Sequence, residues 1–214
     1  SQLHPKVPGM AVVDGSATLW DVADDLSLQT KRKAKDAHGA TVDSDGGYVM
    51  ASDAYRVDLA FSNLVVNHYV PMDDHTVLSG KVKANGRGFD FLSPSATLDA
   101  TASLTNAYMG KINLSNVDAD ATLKGGKLLM ALAADNDPVQ TNLPFDGALK
   151  KNLIEGVMNL DLPYADVQSM GFSEDVLTAS ATGTMQFSYN MDKFFLVDSR
   201  IDVMNLKMGK DSIA

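Results

Sequence analysis

The chain has no cysteine, which removes disulfides, thiol nucleophiles and thiolate metal sites from consideration. Tryptophan occurs once, as Trp20 at the end of the strand-like run Ala17, Leu19. Aromatic residues make up only 7% of the chain, so a sugar-stacking platform has little to be built from. Cations are outnumbered, 18 Lys and Arg against 27 Asp and Glu, for a net charge of −9. That balance argues against nucleic acid as a partner, because a phosphate backbone calls for a basic surface. The only basic run is Lys31, Arg32, Lys33 and Lys35. It reads as a solvated strand end or hairpin tip, with anionic lipid headgroups as the alternative contact. No apolar run approaches the roughly 18 residues of a membrane-spanning helix. The N-terminus SQLHPKVPG lacks the apolar core of a signal peptide. A start at Ser1 and a strand-like close at Ser212-Ile213-Ala214 give the expectation of a piece excised from a longer protein.

Catalytic signatures are also missing. There is no G-x-S-x-G, no H-E-x-x-H and no G-x-x-x-x-G-K-[ST]. Gly80 to Gly88 is dotted with glycine but has no following helix to receive a phosphate, so it reads as strand, turn and strand. His68, Asp73, Asp74 and His75 are the one cluster of possible metal ligands, and their spacing matches no known site. Asp43, Asp45 and Gly46 faintly resemble a calcium loop without its closing glutamate. Asn113-Leu114-Ser115 matches a glycosylation acceptor but falls in an alternating strand. The carboxylates of Asp58, Asp99, Asp118, Asp120 and Asp202 occupy the polar phase of strands and point to solvent. No pair of them stands out as acid and base. The expectation is a protein without catalytic residues, cofactor or metal.

What the chain does have is alternation. From Leu177 to Tyr189, Leu177, Ala179, Ala181, Gly183, Met185, Phe187 and Tyr189 fall on one side, and Thr178, Ser180, Thr182, Thr184, Gln186 and Ser188 on the other. Successive side chains of a strand point to opposite faces, so this is one two-faced strand of about 40 Å at about 3.3 Å per residue. Ala96, Leu98, Ala100, Ala102 and Leu104 repeat the pattern, as do Val117, Ala119, Ala121 and Leu123, and Val57, Leu59 and Phe61. Turn signals punctuate these runs at Asp14-Gly15, Asp45-Gly46-Gly47, Asn85-Gly86, Gly125-Gly126, Asp135 to Pro138 and Asp146-Gly147. Helical periodicity is confined to Tyr164–Met170, between Pro163 and Gly171, and to a short turn within Asn67–Asp74.

The spacing predicts an all-β fold: long antiparallel strands in an extended, curved sheet, with one or two short helices at most. Residues 1–214 read as one β-rich segment. Its alternative division is into two repeats, 50–150 and 151–214, behind an N-terminal strand region 1–49. The first copy runs from Val57 to Leu64, through Tyr69-Val70-Pro71 and Asp73-Asp74, to Leu78–Ala84. The second runs from Val157 to Leu160, through Pro163-Tyr164 and Glu174-Asp175, to Leu177–Gly183.

Asn67-His68-Tyr69-Val70-Pro71, Leu78-Ser79-Gly80-Lys81-Val82 and Gly86-Arg87-Gly88-Phe89-Asp90-Phe91-Leu92-Ser93-Pro94 together resemble the TamB branch of the AsmA-like proteins in their Bacteroidota form. The strands and turns through Asn113-Leu114 and Leu123-Lys124-Gly125-Gly126-Lys127-Leu128 are similar to the same family. The resemblance implies a periplasmic segment of an envelope protein anchored in the inner membrane by a helix outside this segment. It implies a taco-like sheet whose apolar groove conducts phospholipid acyl chains between the membranes, and an outer-membrane barrel of the Omp85 class as partner. Small and flexible apolar residues suit such a groove. The expected lining is Leu98, Ala100, Ala102, Leu104, Val117, Ala119, Ala121, Leu123, Ala179, Ala181, Met185 and Phe187. The competing expectation is a non-catalytic β-sandwich, or a scaffold module for protein interaction or outer-membrane protein assembly, in which the same residues form a closed core.

Overall fold

The computed structural model describes residues 10–22, 25–68, 73–190 and 193–209. Tyr69, Val70 and Pro71, used above for the repeat and the resemblance, lie outside the described residues, as do Ser212–Ala214 and the side chain of Trp20. The alternation seen in the sequence becomes thirteen strands. β1 (Met10–Val22), β2 (Asp25–Asp36), β3 (Thr41–Val49) and β4 (Ala54–Val65) come first. A 3-10 turn over Val66–His68 leads toward β5 (Thr76–Arg87), β6 (Thr97–Met109) and the two-residue β7 (Ile112–Asn113). Then come β8 (Val117–Lys124), β9 (Lys127–Asp135), β10 (Val139–Lys150), β11 (Leu153–Asp166), β12 (Leu177–Asn190) and β13 (Lys193–Met208).

Each strand pairs antiparallel with its neighbours in chain order, and β7 is a side branch on β6. β1 and β13 are the edges and do not meet, so this is one open meander sheet. Pairing runs without interruption from β3 to β4 and from β10 to β11, across both expected internal boundaries. The all-β expectation therefore holds. Among the described residues there is no second sheet and no α-helix, and strands touch their ladder neighbours rather than a facing layer.

The sheet bends where its ladders slip. Register shifts fall between Phe61 and Leu64, Ser79 and Gly80, Gln140 and Asn142, Leu162 and Ala165, and Thr182 and Gly183. These, with the shift between Val12 and Asp14, lie toward the same end of their strands, whereas a further shift between Gln186 and Phe187 lies near the other end of β12. A bulge kinks its strand and sharpens the local twist, so a row of them at one level folds the sheet along a crease. In both proposed repeats the first strand slips near its end (β4 and β11), and the long strand that follows slips at a glycine (Gly80 and Gly183).

Several expected turns lie inside strands. β3 runs through Asp45-Gly46-Gly47, β5 through Asn85-Gly86 and β10 through Asp146-Gly147; Asp14-Gly15 lies within β1. At Gly86 and Gly147 the reason is packing rather than chain reversal. A Cβ placed on Gly147 would sit 2.4 Å from the Phe145 ring, and one on Gly156 would sit 2.8 Å from it. Phe145 thus lies flat over a paired Gly147 and Gly156, an aromatic covering for two bare backbones. The same correction applies to Gly80–Gly88, which is continuous strand as far as Arg87. The calcium-like Asp43, Asp45 and Gly46 also sit in strand β3, not in a loop. Gly125-Gly126 is a true two-residue turn, with φ of 57° and 78° at the two glycines, as a primed hairpin requires.

The expected helix at Tyr164–Met170 is also corrected. β11 extends to Asp166, and only a single turn follows. The Met170 N–H donates to the Asp166 carbonyl at 3.1 Å, and the Ser169 N–H to the Asp166 carboxylate at 3.0 Å. Pro163 sits in the register slip, where no ladder bond asks for its missing N–H. One turn is too short to propagate as a helix.

Candidate functional site

Ladder register places the twelve expected lining residues on one face. Leu98 pairs with Leu123, Ala100 with Ala121, Ala102 with Ala119 and Leu104 with Val117. Partners opposite each other in a ladder share a face, so these eight form a two-strand apolar block. The rows continue outward. Ala121 faces Met130, Met130 faces Phe145, Phe145 faces Met158 and Met158 faces Met185. Phe187 joins through Gly156, Ala181 through Leu162 and Ala179 through Ala165.

Two apolar clusters hold this face. One gathers Leu123, Leu128 and Phe145 with Leu98, Met130, Leu149, Ile154, Met158 and Phe187, and the Phe145 and Phe187 rings stack at 4.9 Å. The other lies beyond the crease, where Ala134, Val139 and Ala165 are covered by Leu114, Val117, Leu162 and Met170. Leu114 and Met170 come from the two connecting segments that follow β7 and β11, so those segments close one end of the face.

Between the clusters lies a cavity of about 310 Å³. Its wall includes Val82, Ala100, Ala102, Ala119, Ala121, Met130, Leu132, Leu143, Phe145 and Met158. Thr101, Asp120 and Ala131 reach it from the outward phase of their strands. The wall spans β5 to β11. On a flat sheet these six consecutive ladder strands would spread over about 24 Å at about 4.8 Å per spacing. One small space bordered by all of them means that the sheet is curled around it. The floor is alanine and the flanks are Met, Leu and Phe. Only half-burial is reached along most of this face, and no large side chain in the described chain is fully buried.

Other recesses differ in chemistry. One of about 400 Å³ between β2 and β5 is lined by Lys31, Lys33, Lys81 and Lys83, interleaved with Asp43, Asp45 and Asp58. Arg32 lines it as well, so cations outnumber carboxylates in its wall, and Lys31 and Arg56 both approach Asp45, at 3.9 and 3.2 Å. The basic run therefore lies along β2 rather than only at its tip. A wider recess, about 800 Å³ beside Gly125-Gly126, mixes Lys127 and Lys150 with Asp146 and Glu155. Outward carboxylates such as Asp99, Asp118 and Asp120 are exposed, whereas Asp58 is half-buried and paired with Arg56 at 2.6 Å. Among the described residues no three His, Asp or Glu side chains converge as metal ligands. The Tyr55 phenol, on the apolar face next to Gly86, is pushed up by burial. Asn113 belongs to the short β7, and its carboxamide oxygen accepts from the Ser115 N–H at 3.0 Å.

The trough residues absent from the sequence expectation are Val82, Met130, Leu132, Leu143, Phe145 and Met158. β10 carried a signal, since Val139, Thr141, Leu143 and Phe145 alternate with Gln140, Asn142 and Pro144. β9 carried none, because Leu128 to Ala134 is apolar throughout. Chemically, the arrangement offers an apolar, unlidded strip that can bury hydrocarbon. Compared with protein-family models, curated proteins and solved structures, the chain shows no match.

Proposed function

We propose that this chain is a periplasmic groove segment of the TamB/AsmA-like kind. Its apolar face binds phospholipid acyl chains and lets them pass between inner and outer membrane. The observation that carries this reading is the alanine-floored trough on a single uncovered sheet. Ala100, Ala102, Ala119 and Ala121 leave volume that larger residues would fill, and no second layer is present among the described residues to fill it. Each methylene buried there yields about 0.8 kcal/mol, so one acyl chain supplies ample drive for uptake. In this reading the membrane anchor lies outside the segment and an Omp85-class barrel is the partner. The protein acts by burial alone, with no catalytic residue.

The test is native mass spectrometry of delipidated protein mixed with a phospholipid. A phospholipid adduct is expected, and it is expected to vanish in an Ala102→Trp variant whose indole occupies the trough. A parent protein that takes up no lipid sinks the reading.

A second reading, a scaffold that captures partner strands, draws on β13. Ile201, Val203, Met204, Leu206 and Met208 are exposed along this edge strand, and exposed edges pair readily with other chains. The sandwich form of that alternative finds no second sheet among the described residues.

A further inference from the structure

The strand ends form two rims of unlike chemistry. One rim comprises the turns 50–53, 88–96, 125–126 and 151–152. Close contacts join them into one edge. The Gly88 N–H donates to the Asp53 carbonyl at 3.0 Å, the Pro94 carbonyl lies 3.8 Å from where a Cβ of Gly125 would be, and the Leu149 N–H donates to the Gly126 carbonyl at 2.9 Å. At one half of this edge Met50, Phe89, Phe91 and Leu92 are 54%, 63%, 38% and 48% exposed. Phe89 is braced from behind by Tyr55, stacked at 5.0 Å, and by Tyr48 at 5.5 Å. The other half is basic: Arg87, Lys124, Lys127, Lys150 and Lys151 stand against Asp53, Asp90 and Glu155, and Glu155 is paired with Lys150. The opposite rim is acidic. Asp36, Asp73, Asp74, Asp135, Asp137, Asp166, Glu174 and Asp175 stand there against Lys35, Lys111 and Lys207 among the described residues.

A protein of net charge −9 that concentrates lysines beside protruding aromatic tips carries the chemistry of an interfacial anchor. Aromatic and leucine side chains favour the boundary between headgroups and acyl chains, and lysines reach the phosphates on long apolar stems. We propose that this rim docks on an anionic phospholipid bilayer. Phe89, Phe91 and Leu92 enter the interface, and Lys124, Lys127 and Lys151 face the lipid phosphates. The acidic rim is turned away from the membrane by the same field that attracts the basic one. Docking is separate from the trough, since none of these six side chains lines it.

Flotation of the full chain with vesicles tests the proposal. The vesicles are phosphatidylcholine alone or phosphatidylcholine with about 30% phosphatidylglycerol, a charge density at which each nearby lysine contributes about fivefold in affinity. The parent is expected to float with the anionic vesicles only, and to be released as salt shortens the Debye length. The pair Lys124→Glu and Lys127→Glu is expected to lower the vesicle partition constant at least twentyfold, at about fivefold per lysine. Phe91→Ser with Leu92→Ser is also expected to release the protein, whereas Phe172→Ser on the acidic rim leaves it bound. Thermal melts that match the parent's show that the variants fold. The Ala102→Trp variant, blocked in acyl-chain uptake, still floats, which keeps this test apart from that of the trough. Three results overturn the proposal: equal binding to both vesicle compositions, binding unchanged in all rim variants, or self-association of the parent that the lysine variants abolish. The last would make the acidic rim of a second copy the true partner.

Discussion

On β6 and β8 the inward positions at mid-strand are Ala100, Ala102, Ala119 and Ala121; along the same rows β9 to β12 carry Met130, Leu132, Leu143, Phe145, Met158 and Met185. The two halves share backbone geometry and ladder register and differ in side-chain volume. The large half supplies the packing: Phe145 is 3% exposed, stacked on Phe187 and seated over two glycines. The alanine half contributes ladder bonds and space. A cavity is therefore the expected product of setting a small floor against large flanks, with no covering layer to collapse onto it.

The sharpest way to break this comparison is Phe145→Ala. Loss of a buried aromatic costs about 3–5 kcal/mol, and the two glycines beneath leave nothing to close the hole. A loss of that size in unfolding free energy, read from denaturant titration, is expected. A loss below about 1 kcal/mol would mean that the large half does not hold the sheet, against the usual range for such truncations.

The next test acts on the other half. Ala102→Leu with Ala119→Leu adds volume where space already exists. The expected change in stability is under about 1 kcal/mol, against about 1–3 kcal/mol for overpacking a filled core. Phospholipid uptake, read by native mass spectrometry, is expected to fall sharply in the same variant. A stability loss typical of overpacking would show that the floor is already occupied.

The smallest effect lies outside both halves. Burial opposes the charge on the Asp36 carboxyl, but the Ala40 and His38 N–H groups, with the nearby His38 and His68, outweigh it and leave its pKa below the ordinary 3.8. Asp166 is likewise lowered, first by the Ser169 N–H and then by its hydroxyl. A carboxylate with a lowered folded pKa contributes stability that is complete above its unfolded value and fades as pH falls through the folded one. The melting temperature is expected to hold steady from neutral pH down to about 4 and to decline below that, with a shallower decline in Asp36→Asn. A decline that begins near pH 6 would point to a histidine instead.

The strands whose period was clean were legible in the sequence. β6, β8 and β12 follow their alternation closely, and the twelve residues taken from them share a face. β9 hid its phase because both of its faces are apolar, so no period marks which of Leu129 or Met130 turns inward. The Asp-Gly and Asn-Gly pairs misled because glycine serves two purposes, reversing a chain and making room under a ring. Only the cross-strand partner, Phe145 over Gly147 or Tyr55 beside Gly86, tells them apart, and partners depend on register. The rim asymmetry was also hidden, since Arg87, Lys124 and Lys150 are distant in sequence and meet only when the turns line up.

Chain-order pairing has a kinetic consequence. Each new strand needs only the one before it, so every closure is a short loop and its entropy cost is small. Assembly can start at any hairpin and advance like a zipper, one rung of chain at a time. A polypeptide delivered end-first through a narrow pore could therefore acquire its final form as it emerges, with no need to wait for its far terminus.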